Sequence, residues 1–382
     1  MTSKLRIVIL GLSITSSWGN GHATTYRGLV RELVARGHEL LFLERDQPWY
    51  AANRDLPNPP WGRTELYASL DDLRERFQAP VRDADLVIVG SFVPEGVAAG
   101  DWVQRTARGL TAFYDIDTPV TLARLARGEH DYLAPRQIPG YDLYLSFTAG
   151  PTLQRLEREF GSPRARPFYC SVDPTLYYPE PQPPRWDLGY MGTYSDDRQP
   201  GVERLLLEPA RRHPPGRFIV AGPQYPQHIA WPANVEYQPH LPPAEHRSFY
   251  NRQRWTLNIT RADMVQAGWS PSVRLFEAAA CGTPILSDRW QGIEELLAPG
   301  REIVLADSTE QALAVLRDWG EDERARLAER ARERILAGHT AAHRAEQLEG
   351  YALELLRAGT GASRTSRTGA APQARPHLEP AS

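Results

Sequence analysis

Lysine is almost missing from this 382-residue chain: of its 44 basic residues, every one but Lys4 is arginine. Schiff-base chemistry, pyridoxal anchoring and a Walker lysine are therefore nearly excluded, and any bound anion must be met by guanidinium groups or backbone N–H. Cysteine is nearly as scarce. Cys170 and Cys281 cannot build a four-cysteine zinc site, an iron–sulfur cluster or a disulfide framework, which makes a reducing cytoplasm the expected setting. No apolar run is long enough to cross a bilayer. Leu5 to Ile14 contains Arg6, falls short of the roughly 20 residues a span needs, and reads as a buried strand, leaving room only for peripheral membrane contact. The net charge of −3 gives no broad basic surface, so sequence-independent nucleic-acid binding is not expected. The histidines include no HExxH pair, and His339 and His343 stand four apart without a third ligand, which suits core or surface placement better than metal binding.

What is present is a globular composition, 41% hydrophobic and 24% charged, on a chain long enough for two cores. From Leu5 onward, strand-like apolar runs, polar turns and helix-length periodic stretches alternate, the pattern of parallel βαβ units. Strands are expected at Leu5 to Leu10, Glu39 to Leu43, Leu86 to Val89, Leu110 to Tyr114, Leu143 to Ser146 and Pro167 to Cys170. Between Asp46 and Thr64 a Pro-, Trp- and Asn-rich insertion reads as a long loop over the sheet edge; its Trp49, Tyr50 and Trp61 either stack on sugar rings or pin the loop down. Pro179, Pro181, Pro183 and Pro184 mark a linker, since proline neither donates to a ladder nor continues a helix. A second series follows from Trp186 to Leu305, then three helices.

The expected fold is therefore α/β, with two Rossmann-like doubly wound domains and a cleft between them. Residues 1–180 form the first domain, 186–340 the second, 341–358 a helix that crosses back to the first, and 359–382 a disordered tail of Gly, Ser, Thr, Ala, Pro and Arg. Open parallel sheets bind ligands beyond the carboxyl ends of their strands, so the strand-to-helix loops hold the candidates.

Arg261 to Asp288 is the most informative stretch. Ser270, Pro271 and Ser272 begin a helix where Ser suits the N-cap and exposed N–H groups attract a phosphate. Arg274 and Glu277 follow one turn in; a carboxylate at that depth either accepts two bonds from a vicinal diol such as a ribose or is a solvated helix residue. Gly192-Thr193-Tyr194 ends the first strand of the second domain, with Arg198 close behind. Gly permits close approach to a diphosphate, and Arg198 and Arg261 add charge-assisted bonds or else pair with Asp196 and Asp263. In the first domain Trp18-Gly19-Asn20-Gly21-His22 makes an open turn toward the cleft, where His22 takes a proton from an acceptor hydroxyl or merely packs at the helix start. Asp115 and Asp117 invite a metal reading, but Asp117 equally caps its helix or orients an acceptor.

The phrase FEAAACGTPILSD (276–288), with Gly292 to Leu297 and EIVLADS after it, resembles the donor-binding segment of GT-B glycosyltransferases of the family 4 type. SVDPTLYYP (171–179) is similar to the segment that ends their first domain, and HTAAHRAEQL (339–348) resembles the spore-maturation CgeB-like branch; together the matches run in order over roughly residues 5 to 357. The resemblance implies that Glu277 binds the nucleotide ribose, that Gly19, Asn20 and Gly21 form the acceptor-side loop, and that no DxD metal or other cofactor is needed. Trp269 stands where the family has a further Glu, so neither donor sugar nor stereochemistry carries over.

The expectation is thus a glycosyltransferase that moves a sugar from a nucleotide-diphosphate sugar to a glycan, lipid, protein or small-molecule hydroxyl. Gly192, Thr193, Arg198, Arg261, Ser270, Ser272, Arg274 and Glu277 would hold the donor, with His22 and Asp117 catalytic. Its rivals are a sugar-nucleotide 2-epimerase and a non-catalytic nucleotide-sugar-binding protein of the same fold.

Overall fold

A computed structural model describes residues 4–19 and 21–361, the side chains of 359–361 excepted. Seven strands, β1 (Arg6–Gly11), β2 (Glu39–Arg45), β3 (Arg63–Tyr67), β4 (Leu86–Gly90), β5 (Leu110–Asp115), β6 (Leu143–Ser146) and β7 (Ala165–Pro167), form an all-parallel sheet in the order β3-β2-β1-β4-β5-β6-β7. Six more, β8 (Trp186–Met191), β9 (Phe218–Ala221), β10 (Val235–Gln238), β11 (Gln253–Asn258), β12 (Ile285–Ser287) and β13 (Val304–Leu305), form a second in the order β10-β9-β8-β11-β12-β13. Continuous apolar runs such as LVIVG in β4 are buried on both faces, as parallel strands between helical layers must be. In each sheet the order of strands reverses once, between β1 and β4 and between β8 and β11. Crevices open at such points, beyond the strand ends.

After the second sheet the chain returns to the first. Val172 and Thr340 bridge the two crossings, and the helix Ala341–Gly361 lays Ala345, Leu348 and Ala352 against Leu29, Val30 and Leu33 of the helix His22–Ala35. Arg36 Nε donates to the buried Glu349 at 2.7 Å, and Arg344 Nε to the Tyr169 carbonyl at 3.0 Å. Among the described residues, no helix is long and apolar enough to cross a membrane.

Several elements differ from the sequence expectation. The insertion after Asp46 holds a short helix, Pro48–Ala51, and ends in β3, whose Arg63, Thr64 and Glu65 lack the apolar alternation of a strand because β3 is the sheet edge. The strand expected at Pro167 to Cys170 lies two residues earlier, as β7, and the chain leaves the sheet after Pro167. The helix expected to start after Asp117 is Thr118–Ala126, and the helices Gly96–Thr106 and Ala262–Ala267 add to those expected. Residues 359–361, expected to open the tail, continue the last helix, and the rest of the expected tail, 362–382, lies outside the described residues.

Candidate functional site

The loops after β1, β5, β8 and β11 face one another across the groove between the sheets. Arg274 projects from the first turn of the helix Val273–Ala280 and is only 6% exposed. Its Nε and Nη2 donate to the Met191 carbonyl at the end of β8, its Nη1 donates to Asn258 Oδ1 at 2.8 Å, and its guanidinium lies 4.8 Å over the Tyr190 ring. Gly192 makes this approach geometrically available, because a Cβ there would sit 2.6 Å from Tyr190 Oη and 3.1 Å from Arg274 Nη2.

Arg198 is half-buried, its Nε donating to Ser195 Oγ at 2.9 Å and its Nη2 to the Thr193 carbonyl at 2.5 Å. Burial, and then the charges of Arg274 and Arg261, push its basicity down. Pairing of Arg198 with Asp196 and of Arg261 with Asp263 does not occur. Asp196 accepts from Tyr194 Oη instead, and among the described residues no carboxylate lies within 4.0 Å of the three guanidiniums. Opposite charges act on them only at longer range, from Asp117 and Asp197 on Arg261, Asp197 on Arg198 and Asp288 on Arg274, and like charges gathered in partial burial are unfavourable unless an anion joins them. The arrangement suits a diphosphate.

Asn258, buried at the end of β11, holds this cluster together: its Oδ1 also accepts from Ser272 Oγ at 2.8 Å, and its Nδ2 donates to Ser287 Oγ at 2.9 Å. The sequence reading passed over Asn258, although a polar residue inside the apolar run of a central strand was a usable signal. Ser272 does occupy the N-cap position, but its hydroxyl serves Asn258 and not the helix N–H groups. Ser270 departs further from expectation. It is fully buried, and its Oγ lies 2.6 Å from Thr148 Oγ of the first half and donates to the Gly268 carbonyl, so its hydroxyl joins the domains and does not line the anion site.

Glu277 is 4% exposed, which removes the solvated alternative. Its Oε2 accepts from Tyr250 Oη at 3.0 Å. Burial, and then the neighbouring carboxylate, push the Tyr250 and Tyr177 phenols well up, so both stay protonated donors beside it. No cation lies within 4.0 Å of Glu277 among the described residues.

Across the groove His22 opens its helix, nine-tenths buried, with Nε2 3.4 Å from Asp117 Oδ2 and its ring edge-on to Phe92. Phe92, two residues past the end of β4, has φ +61°, a conformation bulky residues seldom keep without a reason. Asp117 stands at the N-cap position of Thr118–Ala126 without capping it, its side chain 36% exposed. Burial acts to raise its carboxyl, but the hydrogen bond and charge of His22 and the charge of Arg261 hold it below the ordinary value. Arg261 thus links the two sides electrostatically. Asp115 is different: fully buried, it accepts from Thr121 Oγ1 at 2.7 Å and Tyr144 Oη at 2.5 Å, and burial pushes it up to about 6. The two carboxylates serve separate partners, and among the described residues no group of three His, Cys, Asp or Glu converges. His339 and His343 bond to Arg344 and Thr340.

The loop after β1 rests on the buried Glu44 of β2, which accepts from Ser13 Oγ, Thr15 Oγ1 and the Ile14 and Thr15 N–H groups. Asp55 of the insertion takes Ser17 and a bidentate Arg27. Trp49 is exposed and Tyr50 buried, so the second pins the insertion while the first does not. Gly19 (φ +58°) and Gly21 lie in this loop, and Asn20 falls outside the described residues.

Trp269 is one contact between the halves. Its carbonyl accepts from Ala149 N at 3.1 Å, its N donates to the Gln291 carbonyl at 2.6 Å, and it takes φ +43°.

Residues 198–350 match a family model described as "Glycosyl transferase-like". No curated protein matches the chain. Among solved structures, sucrose-phosphate synthase from Thermosynechococcus elongatus superposes with a TM-score of 0.68 at 16% identity, over 92% of this chain and 99% of that one. Anabaena HepE in complex with UDP-glucose gives 0.67 at 13%, over 93% and 100%. An alpha-glucosyltransferase in complex with UDP and a 13-mer DNA gives 0.67 at 12%, over 92% and 100%. The chain therefore has the GT-B glycosyltransferase fold, two parallel-sheet Rossmann-like domains facing each other across a groove.

Proposed function

We propose that the protein transfers a sugar from a nucleotide-diphosphate sugar to an acceptor hydroxyl. The observation that carries this reading is the cluster of Arg198, Arg261 and Arg274, without a carboxylate within 4.0 Å among the described residues, opposite the Asp117–His22 pair. The guanidiniums and the N–H groups at the start of Val273–Ala280 neutralise the departing diphosphate as the glycosidic bond breaks, so a metal is not needed for that charge. Glu277 accepts from the ribose diol with the lone pairs that Tyr250 leaves. Asp117, the more exposed member of its pair, receives the incoming hydroxyl, and His22 behind it fixes its charge; the hydroxyl proton passes to this pair as the new bond forms.

We place the chain with the family 4 type, in its CgeB-like branch, on FEAAACGTPILSD and HTAAHRAEQL, and we take the setting to be cytoplasmic because both cysteines are buried free thiols. Because HepE is described with UDP-glucose, UDP is the first probe. Calorimetry should show UDP binding to the full chain, and Glu277→Gln should bind UDP and 2′-deoxy-UDP equally while the native protein prefers UDP. Equal binding of both by the native protein would remove the ribose role. With donor alone, epimerised donor would instead support the 2-epimerase, and binding without turnover on any acceptor a non-catalytic protein.

A further inference from the structure

Two of the places where the halves touch lie at separate ends of the groove, with the helices Thr118–Ala126 and Ala262–Ala267 also packed together. One is the Thr148–Gly150 and Gly268–Ser270 contact, where the loop after β6 meets the loop after β11. At the other end of the groove the loop after β1 meets the loop after β10: the Trp18 and His240 rings lie 4.8 Å apart, tilted by 48°. The loops carrying Asp117, Arg198 and Arg261 follow β5, β8 and β11, at or between these contacts along the two sheets. Closing both ends encloses whatever the arginines hold.

Trp18 is poorly explained by its own half. Its side is 47% open to water, yet its stem is rigid: Trp18 N donates to Ser16 Oγ at 3.3 Å, and Ser17 is fixed by Asp55 through two 2.8 Å bonds. A large apolar ring held out from its own core on a braced stem is arranged for a contact outside that core. On the other side, Gln238 Nε2 donates to the His240 carbonyl at 3.2 Å and steadies that loop.

We infer that Trp18 and His240 form a clasp across the open end of the groove that sets how fast a bound nucleotide leaves. The contact is made between loops of different sheets, so it exists only while the groove is closed, and the nucleotide's exit on that side requires the rings to part. The release role rests on the donor reading above; the ring contact itself does not.

Two measurements separate them. Spin labels on Ala52→Cys and Gln227→Cys, both exposed positions on opposite sides of the groove, report the opening directly, since Cys170 and Cys281 are buried. Trp18→Ala and His240→Ala should each move the label distances toward longer values, the double variant no further than either single one, and Trp18→Phe should restore the native distribution. Native-like distances in both alanine variants overturn the clasp. In stopped-flow with UDP, the same alanine variants should release nucleotide roughly 3- to 10-fold faster, the range expected for loss of one aromatic pair. Unchanged release beside lengthened distances overturns its control of the nucleotide. Failure of the native protein to bind UDP would count against UDP as the donor nucleotide, with the clasp still decided by the labels.

Discussion

The indole of Trp269 occupies the space that a side chain at Gly150 would need: a Cβ there would sit 2.5 Å from Trp269 Cδ2, and one at Gly292 would sit equally close to the same ring. One residue of the second half is thus wedged between a glycine of each half, in backbone geometry (φ +61° at Gly150) that favours glycine. Gly150→Ala should cost on the order of 2–4 kcal/mol of stability, from overpacking together with φ strain. Trp269→Ala in the same chain should recover the overpacking part only, which a double-mutant cycle by denaturant titration reads directly.

On the proposed donor role, removing one guanidinium from the arginine cluster removes charge-assisted bonds to the diphosphate, each worth about 1.5–3 kcal/mol. Arg198→Ala and Arg261→Ala should therefore weaken UDP binding by roughly 10- to 100-fold. The effect of added salt on UDP affinity should shrink in each variant. Uridine, which lacks phosphate, should bind the native and variant proteins alike.

Asp117→Asn keeps the shape of the pair and removes its charge. Turnover should fall by about 10²-fold or more, with UDP affinity within a few-fold of native. His22→Gln should lower turnover too, and the double variant should be little worse than either single one, because the two act as a unit. Independent, multiplying losses would count against a shared role.

Asp115 makes stability pH-dependent in a definite direction. Burial raises its carboxyl from 3.8 to about 6, so the folded protein holds a proton there that the unfolded chain has already lost. Its contribution to stability is fully present below about pH 4 and is lost as pH rises through 6, at a cost on the order of 2–3 kcal/mol above that. In Asp115→Asn this decline should be missing, so the melting temperature of the variant relative to native should rise between pH 4 and 7.

The two-sheet architecture was legible because parallel strands buried on both faces, such as LVIVG, are written as apolar runs. β3 was not, because an edge strand with Arg63 and Glu65 satisfies no apolar pattern. Among the proposed donor residues, Arg198, Arg261 and Arg274 stand out in the sequence in or near the loops that follow strands, and the structure brings their charges near one another. Ser270 was misread since nothing local says that Thr148, more than a hundred residues away, takes its hydroxyl. Trp18 was legible only as part of its turn, and Asn258 only as a polar residue in a strand, because their partners come from distant loops.

The helix Ala341–Gly361 completes the layer over the first sheet only after the whole second half has been made. On the ribosome, the side of the helix His22–Ala35 that meets this last helix must therefore wait for some three hundred residues of synthesis, so the first half reaches its finished form last, although it is translated first.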